Sequence, residues 1–490
     1  MCFRNLCCPD TTGTGEAVSG LVQLSLLRGL RSSNPHFDRE DVHVANHKKD
    51  ADLHSDENSA QELDRRTFMG TTGGLLAALA SGGLAANSVQ AHATGVHNSV
   101  DDVIRVGLVG CGGRGTGAAT NALNVEPRAR IVAMGDLFMD RVENSRQNLL
   151  DGDHGDRIQV SEEMMFSGFD NYEKVIQNCD VVILASTPHF RPQQIEKAVE
   201  EGVHVFAEKP IATDAIGVAK VRAACEKAKE KNLTVVSGLC YRYQKSKQET
   251  IDRIHDGSIG DIINLQCTYN TGELWYNGRK DDWTDMEYQI RNWYYYNWLS
   301  GDHITEQSIH SIDKIMWAMK DVPPKKCTAS GGRSRRTEEK WGDIYDHFNC
   351  VFEWETGEKL FHSCRQWSGA DGNVSDFVYG TRGTAAIQAN KISGEVNWRY
   401  KGSGEDLDMY DAEWAELFKS FKGERPLIND GEYMCNSTLV SIMGRMSAYT
   451  GKSLTWDQVS GSQLDLCPPS YEFGAAPEVV IPKPGSTEFI

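Results

Sequence analysis

Several kinds of site are missing from this sequence. The 13 cysteines of its 490 residues are scattered, with no Cys-x-x-Cys pair and no Cys-x-His spacing. Neither a zinc site nor a disulfide framework is therefore signalled. Basic charge is short as well: 51 Lys and Arg stand against 69 Asp and Glu, a formal net charge of −18 at pH 7. A binder of duplex nucleic acid needs a basic face to displace counterions, so no nucleic-acid partner is expected. A permanent membrane span is not expected either, because the mild apolar stretch at residues 75–86 is rich in Gly, Ala and Ser and is interrupted at Ser81-Gly82-Gly83. The chain is too long for one ordinary core, and two folded domains behind a leader are expected.

The most informative stretch is residues 103–136. An apolar run, Val103 to Val109, meets the turn Gly110-Cys111-Gly112-Gly113-Arg114-Gly115, and Ala118, Ala119, Ala122 and Leu123 follow at helical spacing. A strand feeding a glycine turn that opens a helix leaves bare backbone N–H groups at the positive helix end, where a pyrophosphate can sit. Gly110 permits the tight turn, Gly112 lets phosphates approach the backbone, and Gly115 lets the helix pack against the strand. A second apolar run ends at Gly135-Asp136, which delivers a carboxylate about 20 residues after the turn to accept bonds from a ribose 2′-hydroxyl. Leu137 and Phe138 follow, with no Ser or Arg there to receive a 2′-phosphate, so NAD is expected rather than NADP.

Alternation continues after Asp136. Helical patterns at 139–150, 172–177, 192–201 and 214–231 separate apolar runs at 181–185, 203–207 and 234–236. This predicts an α/β fold: an N-terminal Rossmann domain, a doubly wound parallel sheet over 101–237, with ligands outside the carboxyl ends of the strands. Ser186-Thr187-Pro188-His189 and Glu208-Lys209-Pro210 stand at two such ends. On these motifs, the glycine turn and a helix near residue 306, the chain from residue 103 onward resembles the glucose-fructose oxidoreductase, inositol dehydrogenase and rhizopine-catabolism family of NAD(P)-dependent sugar oxidoreductases. The resemblance implies cofactor contacts from Gly110, Gly112, Gly113, Arg114, Gly115, Asp136, Ser186, Thr187, Pro188, Glu208 and Lys209. It also places Lys209 beside the nicotinamide and the substrate hydroxyl. An ammonium desolvated near a positive nicotinamide ring has its pKa pushed down, towards proton exchange with an alcohol.

The remainder, 238–467, reads as an α+β substrate domain with a mostly antiparallel open sheet, its strands at 327–331, 347–354, 359–367, 377–379 and 385–389. Helical patterns follow at 413–422 and 431–449, and a tail rich in Pro and Gly from 468 is expected to be extended. Arg242, in the run Leu239-Cys240-Tyr241-Arg242-Tyr243, is expected as a polar contact at the cleft. The aromatic run Trp293-Tyr294-Tyr295-Tyr296-Asn297-Trp298 suits a sugar, whose C–H faces stack on rings, although it reads equally as a half-buried core. Trp293 and Trp298 are the candidates. On one helix running from His303 towards 319, His303, Glu306, Gln307, His310 and Asp313 recur at spacings of three and four and line one face. The resemblance makes His310 the acid/base or hydroxyl-orienting partner of Lys209, with Glu306 setting its tautomer. His303 and Asp313 are then substrate-side contacts, with a salt bridge or cap as the alternative for Asp313. Spacing alone would allow His303, Glu306 and His310 to hold a metal, but there is no HExxH pattern and the family needs none, so no metal is expected. An open sheet face commonly pairs subunits in this family, which implies a homo-oligomer.

Ahead of all this, residues 1–64 are polar and irregular and read as a disordered leader. The motif Arg65-Arg66-Thr67-Phe68-Met69-Gly70, the weak apolar run and Ala91-His92-Ala93 resemble a twin-arginine export signal over 65–93, which implies a periplasmic or otherwise exported protein. That pathway carries folded proteins, so a cofactor can be loaded before export and would have to be held tightly outside, where there is no NAD pool. Three functions are open: an oxidoreductase passing hydride between nicotinamide and a carbohydrate or polyol hydroxyl; a glycoside hydrolase or epimerase that oxidises its sugar transiently; and a non-catalytic carbohydrate-binding protein.

Overall fold

The computed structural model describes residues 102–490. The leader at 1–64 and the export motif at 65–93 lie outside the described residues.

Short apolar runs, most of them rich in Val, Ile and Ala and connected through helices, build the first sheet. Its strands are β1 (Ile104–Val109), β2 (Ala129–Gly135), β3 (Met165–Phe166), β4 (Val181–Leu184), β5 (His204–Ala207) and β6 (Val235–Ser237). They are parallel, in the order β3-β2-β1-β4-β5-β6. Both faces are covered, and Val106, Leu108, Val182 and Ile183 are wholly buried, as a parallel sheet requires. The chain leaves β1 in one direction for β2 and β3, then returns to β4 on the other side. That reversal opens a crevice above the carboxyl ends of β1 and β4. The expected helices lie at Met139–Leu150, Asn171–Ile176, Arg191–Glu201 and Ala215–Glu230.

The second sheet contains β7 (Ile262–Thr271), β8 (Lys326–Gly332), β9 (His347–Glu353), β10 (Lys359–Gln366), β11 (Asn373–Gly380), β12 (Gly383–Ala386), β13 (Lys391–Gly394), β14 (Trp398–Arg399) and β15 (Leu454–Thr455). Their order is β14-β13-β12-β11-β7-β10-β9-β8-β15. Every pairing is antiparallel except β7 with β10. Strand β7 was not expected from sequence, although its Ile263, Leu265, Cys267 and Tyr269 alternate with Asn264, Gln266, Thr268 and Asn270. In β10 the alternation is clean: Leu360, His362, Cys364 and Gln366 are buried while Lys359 and Phe361 face out. The buried face packs on the helices Ile309–Ala318 and Gly431–Thr450.

Three features depart from the expected layout. The helix expected from His303 to 319 is two helices, Asp302–Glu306 and Ile309–Ala318, because the N–H groups of Gln307 and Ser308 both donate to the His303 carbonyl. The helix Met409–Phe421, assigned from sequence to the substrate domain, packs on the first sheet. There Trp414, Leu417 and Phe418 complete the core, with Trp414 stacked on Phe206 at 4.5 Å between centroids. Lastly, the tail, expected to be extended, forms no helix or strand over 468–490 and is pinned. Leu466 N–H donates to Asp214, Gly474 accepts from Met286, and Pro482 accepts from Tyr345. Tyr471 and Phe473 pack on Phe169, with Phe190 against Tyr471 and Phe138 against Phe473.

Burial holds the imidazoles of His189 and His204 down to about 4 and that of His362 down to about 3. Below pH 6.5 the unfolded chain binds protons at these rings and the folded chain does not, so stability is complete above that pH and falls on acidification towards 4. At pH 5 the loss is about 2 kcal/mol per histidine. Thermal melts are expected to show a markedly lower Tm at pH 5 than at pH 7.5, and equal Tm values would refute this.

Candidate active site

The glycine turn after β1 is built by close approach. Gly110 has φ +93°, and a Cβ there would lie 2.3 Å from the Ser186 nitrogen. A Cβ on Gly115 would lie 1.9 Å from the Gly110 carbonyl oxygen. At Gly113 a Cβ would meet nothing within 4 Å, and at Gly112 only Arg141 Nη1 at 3.7 Å. Two glycines thus pack the turn and two leave the amides at the start of the helix Gly113–Val125 bare to the crevice, a cradle for a pyrophosphate. Asp136, just past β2, accepts from Cys111 N–H at 2.8 Å and Phe138 N–H at 3.1 Å. These bonds aim a carboxylate into the crevice. Burial pushes its carboxyl up, and the Arg141 charge and the two amides oppose that. Arg141 was missed from sequence because it lies on the following helix, five residues past Asp136. This turn, its amides and this carboxylate fit NAD.

Across the crevice, Ser186 Oγ donates to Gln194 at 2.6 Å, and Thr187 Oγ1 is buried without a partner. Both residues line the cleft, and the expected contact Pro188 does not. Glu208, at the end of β5, is bound by Arg114 Nε at 2.5 Å. Arg114 also reaches the buried Glu413 at 3.3 Å and lies over the Tyr410 ring at 4.5 Å. Burial, and then the neighbouring Glu208, push the Glu413 carboxyl well above its ordinary range. This chain of groups ties the glycine turn, β5 and the helix Met409–Phe421 together.

Lys209 Nζ donates to the Glu306 carbonyl at 2.7 Å and to Glu306 Oε1 at 2.8 Å. His310, on the next helix, is partly buried; its Nδ1 is buried with no partner among the described residues, and its ring meets Tyr241 edge-on at 5.5 Å. Burial, then the charges of Lys209, Lys314 and Arg114, hold this imidazole well below its usual range and keep it neutral. Lys209, Glu306 and His310 all line one cavity of about 830 Å³ with the glycine turn. One expectation is corrected here: Glu306 engages Lys209, not His310, because the break after Glu306 takes the two residues off a common helical face.

Four expected substrate contacts lie elsewhere. Arg242 and Asp313 form a buried pair at 2.7 Å, joined by Asp321 at 2.6 Å, with Trp317 and Tyr433 against the guanidinium. This is the salt-bridge alternative for Asp313. His303 is buried in the core, bonded to Asp302 at 2.8 Å and to the Cys364 sulfur at 3.4 Å. Trp298 is buried against His189, its indole N–H donating to Gln289 at 2.8 Å. Trp293 alone of this group lines the cleft, joined by Gln307 and by residues missed from sequence: Tyr269, Trp275, Asn277 and Tyr410. The signal for Trp275 was faint, an aromatic pair in an irregular stretch after β7. Among the described residues no cluster of three His, Cys, Asp or Glu could hold a metal, and no helix is long and apolar enough to cross a membrane.

Residues 104–239 match the model of an oxidoreductase family with an NAD-binding Rossmann fold, and residues 248–386 match the GFO/IDH/MocA C-terminal domain. The chain belongs to the Gfo/Idh/MocA oxidoreductases. Inositol 2-dehydrogenase 3 of Saccharopolyspora erythraea is 26% identical over 52% of this chain and 65% of its own length. Glycosyl hydrolase family 109 protein 4 of Phocaeicola vulgatus is 29% identical over 39% of this chain and 37% of its own. The chain thus spans less than two thirds of either curated relative. The fold is similar to that of an oxidoreductase from Thermotoga maritima, 19% identical, TM-score 0.56, covering 73% of this chain and 99% of that one.

Proposed function

We propose that this protein is an NAD-dependent oxidoreductase acting on a hydroxyl group of a carbohydrate or polyol. The observation that carries the reading is Lys209 hydrogen-bonded to Glu306 beside a neutral, unpartnered His310, in the same cavity as the glycine turn. The backbone from Gly110 to Gly115 and the Asp136 carboxylate would hold NAD, which when bound supplies the hydride acceptor. Lys209 passes a proton to Glu306 Oε1 along their hydrogen bond, and the freed Nζ takes the hydroxyl proton as the C–H hydride leaves. His310 Nδ1 offers a neutral partner that orients the substrate hydroxyl. The matching family and the inositol dehydrogenase relative support this reading.

The glycosyl hydrolase relative favours a second reading, in which the sugar is oxidised, loses its aglycone and is reduced again. Export through the twin-arginine motif at 65–93 belongs with either and suits a cofactor that stays bound. We also propose a homo-oligomer; the exposed Ile263 and Phe361 on the open sheet support it.

The deciding experiment denatures a sample of protein purified without added cofactor and assays released nucleotide, while the remainder is screened against sugars and aryl glycosides at 340 nm. Bound NAD that is reduced by a sugar upholds the proposal. A transient 340 nm signal with glycoside cleavage upholds the second reading, and no reduction with any compound overturns both.

A further inference from the structure

Resting on the oxidoreductase reading, we propose that the cleft takes an uncharged glycoside, and that Trp275 with Trp293 forms a subsite for its second ring. Charge is the first observation. The cleft is lined by four basic side chains among the described residues: Arg114, Arg141, Arg191 and Lys209. Arg141 stands beside Gly112 at the dinucleotide end. The other three are engaged. Arg114 is held by Glu208 and Glu413, Lys209 by Glu306, and Arg191 by the carbonyls of Ser186 and Pro210. A uronic acid or sugar phosphate at Lys209 would have to strip a cation from a buried partner and sit beside Glu306, a double penalty. A neutral sugar pays neither.

The second observation is the aromatic pair. Trp275 is 44% exposed, unusual for so large an apolar side chain, yet its backbone is fixed. Its carbonyl accepts from Tyr295 Oη at 2.8 Å, and Asn277 N–H two residues along the loop donates to Asn292 Oδ1 at 2.8 Å. Its ring stands 6.2 Å from that of Trp293, inclined at 56°. Two indoles set as an open V on a rigid support, at the wall of a cleft that also holds Lys209, match the apolar C–H faces of a pyranose, and their amphipathic rings tolerate the wet mouth. A monosaccharide at Lys209 leaves this pair to a further ring.

The test titrates the NAD-loaded protein with glucose and galactose, the corresponding β-linked disaccharides cellobiose and lactose, glucuronic and galacturonic acids, and the hexose 6-phosphates, reading tryptophan fluorescence. At least one neutral disaccharide is expected to quench the signal and to bind at least ~10-fold more tightly than any charged sugar. In Trp275→Ala its affinity should fall ~10-fold while that of the monosaccharide moves less than ~2-fold, and Trp275→Phe should recover most of the loss. Charged sugars binding as well as neutral ones, no quenching by any neutral disaccharide, or an unchanged disaccharide affinity in Trp275→Ala each overturns the proposal. Absorbance at 340 nm is followed in parallel: if disaccharide binding depends on Trp275 but no sugar reduces NAD, the oxidoreductase reading fails and the subsite stands.

Discussion

Replacing Lys209 by methionine is expected to lower the rate of hydride transfer between about 10²- and 10⁴-fold, the usual worth of a positioned acid or base, while bound NAD is kept. An apolar side chain of similar length survives, and the glycine turn and Asp136 that would hold the dinucleotide are untouched. Only Nζ is lost, with both of its bonds to Glu306. The variant also leaves the Glu306 carboxylate, 14% exposed, without its cation, so a few kcal/mol of stability should go with the rate. The double variant Lys209→Met, Glu306→Gln removes that charge and should regain most of the Tm and none of the rate. Single-turnover absorbance at 340 nm, released nucleotide and a thermal melt separate the three effects. Full activity in Lys209→Met would remove the lysine from the chemistry altogether.

Deleting residues 468–490 is the second large change. Tyr471 and Phe473 back the three phenylalanines, Phe138, Phe169 and Phe190, that line the cleft. Tyr471 also bonds His189 at 2.8 Å. Tyr471 is half-buried and Phe473 is 46% exposed, so their burial is worth roughly half that of two fully buried aromatic side chains, about 1.5–3 kcal/mol in all, with about 0.5–1.5 kcal/mol more for each ring pair. Without them the cleft wall loses its backing, and NAD release should quicken at least ~10-fold, since each 1.4 kcal/mol is tenfold. The milder double variant Tyr471→Ala, Phe473→Ala should act in the same direction. Gel filtration followed by nucleotide assay reads the result; full retention of NAD by the truncated protein would show the tail to be dispensable to the cleft.

Local chemistry explains what could be read in advance. The strand, glycine turn and acid from 103 to 136 announce themselves because each link has its own residue requirement, and the glycines at 110 and 115 meet theirs by close backbone approach. Lys209, Glu306 and His310 were legible through motif. What misled was periodicity carried across a break: His303 shares a helical face with His310 only on an unbroken helix, and its helix ends at Glu306, whereas Asp313 lies on the helix of His310 but is claimed by Arg242. Arg242 misled for another reason. A guanidinium can face a cleft or a buried carboxylate, and nothing near Arg242 in the chain reveals that Asp313 and Asp321, some 70 to 80 residues on, will claim it. Trp275 stayed hidden because an irregular segment has no period by which to place a side chain.

The packing of Trp414 against Phe206 bears on how the molecule is made. The ribosome finishes β6 at Ser237, yet the helix that covers this part of the sheet begins only at Met409. Through more than a third of synthesis, Phe206 and its neighbours wait uncovered. The nucleotide-binding half therefore cannot mature vectorially, as an N-terminal domain folding on its own would. It is sealed only when the last hundred residues emerge, so a stalled or prematurely terminated chain displays a bare apolar sheet to the cell's quality-control machinery.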